Sequence, residues 1–395
     1  MSWSYKKLDD LGIVARGKSK HRPRDAAHLY DGLYPFIQTG DVKHSNLYVT
    51  TYTSTYSEAG LAQSKLWNAG TLCITIAANI AETAILGIDA CFPDSIIGFI
   101  PHEGKSDVKF MKYKFDVLKR EYQQFSQGAA QDNLSMEKLL SLEFLVPEYQ
   151  IQVKISSILS AYDDLIANNT RRVELLEQSV QELYKEWFVR LKFPGYEHTK
   201  IIDGVPEGWQ KVTLGEICYL RNERVNPLEV EQDTPYVGLE HIPRESITLN
   251  TWGTSEDVTS TKLKFEKYDI LFGKIRPYFH KVVFAPLDGI CSSDTLIINT
   301  EDPDLYPYLL ATTSSVQFVK YTSATVKEGS KMPRADWDMM TKYKLCIPPK
   351  SLLLGFNTFV QIVVEQLENL MFQNKKLQQA RDLLLPKLMT GEIVV

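Results

Sequence analysis

Residues 150–188 read QIQVKISSILSAYDDLIANNTRRVELLEQSVQELYKEWF and contain neither glycine nor proline. Apolar residues recur along this stretch at alternating intervals of about four and three positions, which is the rhythm of a coiled-coil helix. A helix over the whole stretch would be about 55 Å long at a rise of about 1.5 Å per residue. The sequence therefore predicts a long central helix with a buried seam formed by Ile151, Ile155, Ile158, Tyr162, Leu165, Leu176, Leu183 and Trp187.

A second long helix is predicted after Pro348 and Pro349, at the carboxyl end of the chain. Pro386 is expected to kink or end this helix, because proline lacks the backbone donor and clashes with the preceding turn. Gly391 suits a helix stop. The predicted seam of this helix is Phe356, Val360, Val363, Leu367, Leu370, Leu377, Leu384 and Leu388.

The two predicted helices share an asparagine near their middles. A shift of 205 positions maps the first seam onto the second and places Asn169 on Asn374. If the helices pair antiparallel, the two amides would face each other, and a buried polar pair of this kind fixes the register of a coiled coil. The alternative is that both amides point at solvent or at a third chain.

The segments before the two helices also repeat. Residues 34–37 (YPFI) resemble residues 234–237 (TPYV), which lie 200 positions later, and Asp94 corresponds to Asp294 at the same interval. Each segment alternates short apolar runs with turn residues, as in residues 72–76, and this pattern indicates β-strands with interleaved helices. The sequence predicts an α+β fold in which two similar domains accompany two helices, and a duplication on this scale favours a two-part target.

Composition excludes several classes of protein. Of the 395 residues, 44% are hydrophobic and 24% are charged, which is typical of a globular protein with sizeable cores. The formal net charge of −5 argues against indiscriminate coating of nucleic acid but leaves room for local basic surfaces. No apolar run approaches the ~20 residues of a membrane span, and a secretory signal core is absent. We expect a cytoplasmic protein whose scattered cysteines are buried thiols: Cys73, Cys91, Cys218, Cys291 and Cys346.

Signatures of catalysis are nearly absent from the sequence. It contains no phosphate-binding loop, no dinucleotide fingerprint and no histidine spacing that suits a metal. Pro93 and Asp94, followed by Glu103 and Lys105, loosely resemble the carboxylates and lysine of a magnesium-dependent nuclease. The second half has no matching glutamate and lysine, so Asp94 is better interpreted as a turn or cap residue.

Two groups of basic residues are more informative. In each group, lysines and arginines lie close together in predicted loops, beside planar side chains. These residues are suited to DNA, because lysine contacts phosphates and arginine also reads guanine edges. The simpler alternative is that they are solvated surface loops. The first group is Arg16, Lys18, Lys20, His21, Arg22 and Arg24, and the second is Lys274, Arg276, Tyr278, His280, Lys281, Lys327, Lys331 and Arg334.

Several short motifs resemble one known family over essentially the whole chain. They are LYKEWF at 183–188, FPG at 193–195, PEGW at 206–209 and LLPKLMTGEI at 384–393. Their order and spacing resemble those of the specificity subunit of type I restriction-modification enzymes. The resemblance implies two mixed α/β target recognition domains, separated by two conserved helices packed as an antiparallel coiled coil with pseudo-twofold symmetry. The implied divisions are recognition domain 1 at 1–149, a central helical region at 150–190, a linker at 191–208, recognition domain 2 at 209–350 and a terminal helical region at 351–395.

The resemblance also implies a function without catalysis in this chain. Each recognition domain would read one half of an asymmetric, bipartite site in double-stranded DNA. The helices would dock two methyltransferase subunits, and two restriction and translocase subunits would complete the enzyme. S-adenosylmethionine, ATP and Mg²⁺ would then serve the partner subunits. The alternatives are a pseudo-symmetric scaffold that does not bind DNA and, from Asp94 and Glu103, a fused nuclease.

Overall fold

The computed structural model of the chain describes residues 2–21, 23–76, 82–125, 135–326 and 332–395. The chain divides into unit 1, which is Met1–Ala167 together with Lys376–Val395, and unit 2, which is Asn168–Lys375. Each unit therefore holds a β-rich segment and a part of each long helix. All five cysteines are free, and four of them are buried.

Unit 1 contains two sheets and a closing strand pair. The five-stranded sheet has the order β2-β10-β7-β8-β4, the four-stranded sheet has the order β5-β3-β9-β6, and β1 pairs with β11. Helices α1 to α5 connect the strands, and α4 contacts α6 through the hydrogen bond from the Tyr113 hydroxyl to Asp163. The elements are β1 Ser4–Lys7, α1 Leu8–Leu11, β2 Gly12–Arg16, β3 Tyr30–Phe36, α2 Thr39–His44, β4 Tyr48–Val49, β5 Ser54–Tyr56, α3 Glu58–Ala62, β6 Leu66–Trp67, β7 Leu72–Thr75, β8 Thr83–Leu86, β9 Ala90–Cys91, β10 Ile96–Pro101, α4 Val108–Phe125, α5 Met136–Ser141, β11 Glu143–Val146 and α6 Tyr149–Tyr184.

Unit 2 has the same plan, after a π-helical turn at Lys185–Val189 that follows α6. Its sheets have the orders β15-β23-β20-β21 and β16-β19-β22-β17-β18, β14 pairs with β24, and β12 pairs with β13. The elements are β12 Ile201–Ile202, β13 Val205–Pro206, β14 Gln210–Thr213, β15 Tyr219–Arg221, β16 Arg224–Val225, β17 Pro235–Val237, β18 Gly253–Thr254, β19 Lys262–Phe265, β20 Ile270–Gly273, β21 Val282–Phe284, β22 Gly289–Cys291, β23 Thr295–Asn299, α7 Tyr306–Thr313, α8 Val316–Ala324, α9 Trp337–Met340, β24 Lys344–Ile347 and α10 Lys350–Thr390.

The strand orders confirm the duplication. The order β2-β10-β7-β8 in unit 1 matches β15-β23-β20-β21 in unit 2, and β5-β3-β9-β6 matches β18-β17-β22-β19. Each unit also contains a parallel pair at the same place, β3 with β9 and β17 with β22, and unit 1 has a second parallel pair, β4 with β8. The fold class predicted from the sequence, mixed α/β domains with long helices, is therefore correct.

The central helix forms as predicted, but its predicted seam is partly wrong. Ile158 and Leu165 are exposed, by 38% and 50% respectively. The buried face of α6 lies one position further along and contains several polar residues: Gln152, Ile155, Ser156, Leu159, Ser160, Asp163, Ile166, Asn169, Val173, Glu177, Val180 and Tyr184. The spacing of apolar residues alone could not find this face, because polar side chains occupy part of it.

The terminal helix follows its prediction more closely. Its seam residues Phe356, Val360, Val363, Leu367 and Leu370 are all buried. Pro386 lies inside α10 and does not end it, because the helix continues to Thr390. Gly391 follows with a φ of +78°, a left-handed conformation that favours glycine at a helix stop.

Within each unit, α6 packs beside α10. In unit 1, Arg381 forms an ion pair with the buried Asp163, which also accepts a hydrogen bond from the hydroxyl of Tyr113. In unit 2, the ring of Phe356 lies 5.9 Å from the ring of Trp187. The early part of α6 thus meets the late part of α10 in unit 1, and the segment that follows α6 meets the start of α10 in unit 2.

The predicted pairing of Asn169 with Asn374 stays a prediction. Asn169 is buried, and the side-chain oxygen of Asn374 is buried without a hydrogen-bond partner among the described residues. The contacts on either side, Asp163 with Arg381 and Trp187 with Phe356, have the register that would bring the two asparagines level. The register is therefore compatible with the prediction, although the two amides share no hydrogen bond to that oxygen.

Unit 2 ties α6 to its β-rich segment through a buried carboxylate. Glu177 accepts hydrogen bonds from the hydroxyl of Ser246 at 2.7 Å, the backbone N–H of Ile247 at 3.0 Å and the hydroxyl of Thr248 at 2.6 Å. Burial raises the pKa of the Glu177 carboxyl above its usual value, and these hydrogen bonds oppose that rise. The contact fixes the segment at 246–248 against the helix.

Candidate nucleic-acid interface

The first basic group lies on a loop whose backbone is fixed against the domain. The N–H of Gly17 donates to the carbonyl of Ile96 at 2.8 Å, and the N–H of Lys18 donates to the carbonyl of Phe92 at 3.0 Å. A side chain at Gly17 would place its Cβ 2.2 Å from the carbonyl oxygen of Pro93, so only glycine permits this approach. The loop leaves the side chains of Arg16 and Lys20 exposed.

An arginine on the same loop is oriented by an aspartate. Both side-chain oxygens of Asp94 accept hydrogen bonds from one nitrogen of Arg24, at 2.8 and 2.9 Å. The pair is about half exposed, so its contribution to stability is on the order of 0–1 kcal/mol and its main effect is on the direction of the arginine. Asp94 was interpreted from the sequence as a turn or cap residue; the structure shows that its side chain serves an ion pair.

The other members of the first group have different surroundings. The backbone N–H of His21 donates to the side-chain oxygen of Gln63 at 3.0 Å, and its ring contacts the ring of His28 edge to face. Lys18 is half-buried. Arg22 lies outside the described residues.

The residues that suggested a nuclease do not form a metal site in the described part of the chain. Asp94 is engaged by Arg24, whereas Glu103 and Lys105 are exposed. Within residues 2–21, 23–76, 82–125, 135–326 and 332–395, no group of three or more His, Cys, Asp and Glu side chains is arranged to hold a metal ion.

A small cavity opens beside the first basic loop. It has a volume of about 230 Å³ and combines an arginine with two aromatic rings. Its lining residues are Ser19, Arg24, Tyr30, Phe36, Gln38, Thr39, Pro93 and Ser95.

The second basic group divides into exposed and inward-directed residues. Arg276 and Tyr278 are exposed at the tip of the loop between β20 and β21. His280, which is only 9% exposed, shares a hydrogen bond of 2.8 Å between its Nε2 and the carbonyl of Ser314. His280 therefore holds the loop in place, and we leave it out of the surface proposed to contact DNA.

The lysines of this group are engaged by backbone carbonyls. The Nζ of Lys281 donates to the carbonyl of Leu239, and burial lowers the pKa of this amine. The Nζ of Lys274 donates to the carbonyl of Ser293 at 3.0 Å. Lys327 and Lys331, which the sequence placed in the same surface, lie outside the described residues, as do the loop segments around Gly128 and Gly329.

Asp294 in unit 2 also contacts a basic loop. It lies 3.4 Å from a guanidinium nitrogen of Arg334 and 3.9 Å from the Nζ of Lys274. The residue that repeats Asp94 after 200 positions therefore also orients an arginine of its own domain. Both domains use the same aspartate position to hold basic side chains at the surface.

A larger groove lies beside this second loop. Its volume is about 540 Å³, it contains four basic side chains, and it has no acidic residue in its lining. Arg221 is paired with Asp269 at 2.8 Å, whereas Arg224 is exposed. Burial lowers the pKa of the Lys262 amine. The lining residues are Leu220, Arg221, Asn222, Arg224, Thr261, Lys262, Leu263, Lys274, Ser293, Thr295, Leu296 and Ile297.

The cavity of unit 1 and the groove of unit 2 share one repeated lining position, because Ser95 and Thr295 are 200 positions apart. Each space also contains an arginine, Arg24 in the first and Arg224 in the second. The surroundings differ, because aromatic rings line the first space and additional cations line the second.

Sequence reasoning missed four of the basic residues in unit 2. Arg221 and Arg224 could have been found, because they lie three positions apart in the stretch RNER at 221–224. Lys262 and Arg244 carried no local signal. Arg244 reaches the tip of the loop only through the tertiary fold, where its guanidinium lies 4.0 Å from the ring centre of Phe279.

Comparison with known families assigns the chain to one class of protein. The family described as the type I restriction modification DNA specificity domain matches residues 1–178 and 206–352, which together make up most of the chain. The chain belongs to this family of type I restriction-modification specificity subunits. Specificity subunits are non-catalytic members of their enzymes, so the chain is a non-catalytic subunit.

Individual relatives agree with this assignment. The chain is 24% identical over 416 aligned residues to the type I restriction enzyme MjaIX specificity subunit of Methanocaldococcus jannaschii, covering 100% of this chain and 94% of that protein. It is 22% identical to the HindI specificity subunit of Haemophilus influenzae, covering 68% and 72% of the two chains. The crystal structure of a type I restriction-modification S subunit from M. genitalium shares the fold, with a TM-score of 0.61 at 15% identity over 98% of this chain and 96% of that one.

Among the described residues, none of the helices combines the length and the apolar character that crossing a bilayer requires.

Proposed function

We propose that this subunit binds double-stranded DNA and reads a bipartite, asymmetric site, with one half-site for each recognition domain. The observation that carries the proposal is a basic surface in each domain, with Arg24 at the cavity of the first and Arg224 in the groove of the second. The net charge of the chain is −5, so these surfaces are local concentrations of positive charge. A basic groove next to exposed planar side chains is suited to a phosphate backbone and to base edges.

Differences between the two domains favour two unlike half-sites. The first domain presents Arg24, held by Asp94, beside the rings of Tyr30 and Phe36. The second presents a wider groove with Arg224 and Lys262. Because direct readout depends on which donors and acceptors meet the base edges, surfaces this different would select different sequences.

We propose that the two long helices set the spacing between the readers. Helix α6 has 36 residues and α10 has 41, so each is on the order of 55–60 Å long at about 1.5 Å per residue. Readers inset from the helix ends would sit about one DNA turn apart, or roughly 34–36 Å. The spacer length of the DNA site would then follow from the length of the helices.

The helices would also dock the partner subunits. Helix α6 exposes Ile158 and Leu165, and α10 exposes Phe359 and Ile362. Exposed apolar side chains at helical spacing are suited to contact with another polypeptide. We propose that these faces receive two methyltransferase subunits, which would bind S-adenosylmethionine, and that two ATP- and Mg²⁺-dependent restriction subunits join through them in the cytoplasm.

The proposal is tested by co-expressing the chain with a matching methyltransferase subunit and mapping methylated adenines across the host genome. We expect one bipartite motif, in which two different defined halves flank a spacer of fixed length. Cells that carry the methyltransferase subunit alone serve as the control and should lack the motif.

Two results would contradict the proposal. Methylation at a single undivided motif would contradict the assignment of one half-site to each recognition domain. Methylation without sequence preference, together with absence of salt-sensitive DNA binding by the assembled complex, would favour a scaffold that does not contact DNA.

A further inference from the structure

The tip of the second basic loop is held in an unusual backbone conformation. Arg276 and His280 have φ angles of +50° and +51°, and they flank the short turn at Pro277–Phe279. Residues other than glycine rarely adopt this left-handed conformation, and when they do, the surrounding contacts must enforce it. Positions of this kind cluster at sites that clamp ligands.

Hydrogen bonds to three other parts of the domain enforce this conformation. The backbone N–H of Arg276 donates to the carbonyl of Pro333 at 2.7 Å. The carbonyl of His280 accepts from the backbone N–H of Glu245 at 2.8 Å, and the His280 ring is tied to Ser314. The tip is thus positioned before any ligand arrives.

Two arginines share an aromatic ring at this tip. The guanidinium carbon of Arg244 lies 4.0 Å from the ring centre of Phe279, and that of Arg276 lies 5.8 Å from it. Both arginine side chains are exposed. In the part of the chain that the structure describes, neither forms an ion pair within 4.0 Å, whereas Arg334 on the neighbouring segment is paired with Asp294.

We infer that Arg244 and Arg276 read guanine in the major groove, within the half-site of the second recognition domain. The inference rests on the proposed function and specifies its chemistry. An arginine contacts the O6 and N7 of guanine through two parallel hydrogen bonds, so the plane of its guanidinium must be set. A phosphate contact requires only a positive charge, which the groove with Arg224 and Lys262 already supplies.

Conservative substitutions separate these roles. R244K and R276K keep the charge and remove the planar fork. R171K is the matched control, at an exposed arginine of α6 that pairs with Glu174 outside both basic surfaces. Each variant is co-expressed with the methyltransferase subunit, and methylated adenines are mapped. We expect R244K or R276K to reduce the discrimination at a G·C pair in one half-site by about 10- to 100-fold. The other half-site should stay unchanged, and R171K should leave the whole motif unchanged.

A second measurement uses the unaltered complex and so avoids any effect of substitution on folding. Each guanine of that half-site is replaced in turn by 7-deazaguanine, which lacks the N7 acceptor, and binding is measured at fixed salt. We expect at least one replacement to weaken binding about tenfold or more.

The inference is overturned if both lysine variants retain every position of the motif, or if no 7-deazaguanine replacement in that half-site weakens binding. Failure of the proposed function looks different, because the unaltered chain would then yield no bipartite motif at all.

Discussion

Inserting four helix-forming residues after Asn169 and four more after Asn374 is expected to lengthen the spacer of the methylated DNA motif by one or two base pairs. Four residues add about 6 Å to each helix, against about 3.4 Å for each base pair. They also add about one full turn, so the helix faces on either side keep nearly the same direction. The measurement is the methylation map of the double-insertion variant, in which both half-sites should be unchanged.

The placement of the insertions follows from the helix contacts. Changing both helices at corresponding points preserves the pairing of Asp163 with Arg381 and of Trp187 with Phe356. The matched control is the same insertion between Asp203 and Gly204, in an exposed turn outside the helices, which should leave the spacer unchanged. An unchanged motif in the double-insertion variant would mean that the helices do not measure the distance between half-sites.

Replacing Phe356 with alanine is expected to lower the free energy of unfolding by about 3–5 kcal/mol, because it removes a large side chain from a packed core. Phe356 is fully buried, and its ring lies 4.9 Å from that of Phe188 and 5.9 Å from that of Trp187. Equilibrium unfolding in urea, followed by helical circular dichroism, measures the difference between the variant and the unaltered chain.

Phe359 is the matched control, since it lies one turn further along the same helix and is 39% exposed. Its replacement by alanine should cost less than about 1 kcal/mol, because most surface substitutions have small effects. Equal losses for the two variants would show that the buried face of α10 has been assigned incorrectly. F359A should instead weaken capture of the methyltransferase subunit, because Phe359 belongs to the face proposed to dock it.

The two helices also show how far the sequence could predict the fold. The seam of α10 was predicted correctly from Phe356 to Leu370 because, apart from Asn357, the buried positions in this span are apolar. The seam of α6 was displaced because its buried face includes Asp163 and Glu177, whose partners come from distant segments. When a carboxylate finds its hydrogen-bond partners only in the folded chain, the local pattern of hydrophobic residues cannot show that it is buried.

The candidate interface was predictable to a similar, partial extent. The clustering of arginine and lysine in loops was enough to predict Arg24 and Arg276 as DNA-binding candidates. The sequence could not indicate that His280 faces inward or that Arg244 joins the tip, since both depend on where separate loops meet. Internal repetition was a further guide, because it related Asp94 to Asp294 before their contacts with basic side chains were known.

The central claim is that each recognition domain reads its own half of the DNA site. The most direct test replaces residues 209–350 with the corresponding segment of the Methanocaldococcus jannaschii relative and maps methylated adenines before and after the exchange. We predict that one half of the motif changes while the other half and the spacer length are retained. A change in both halves, or an unaltered motif from an active complex, would contradict the claim.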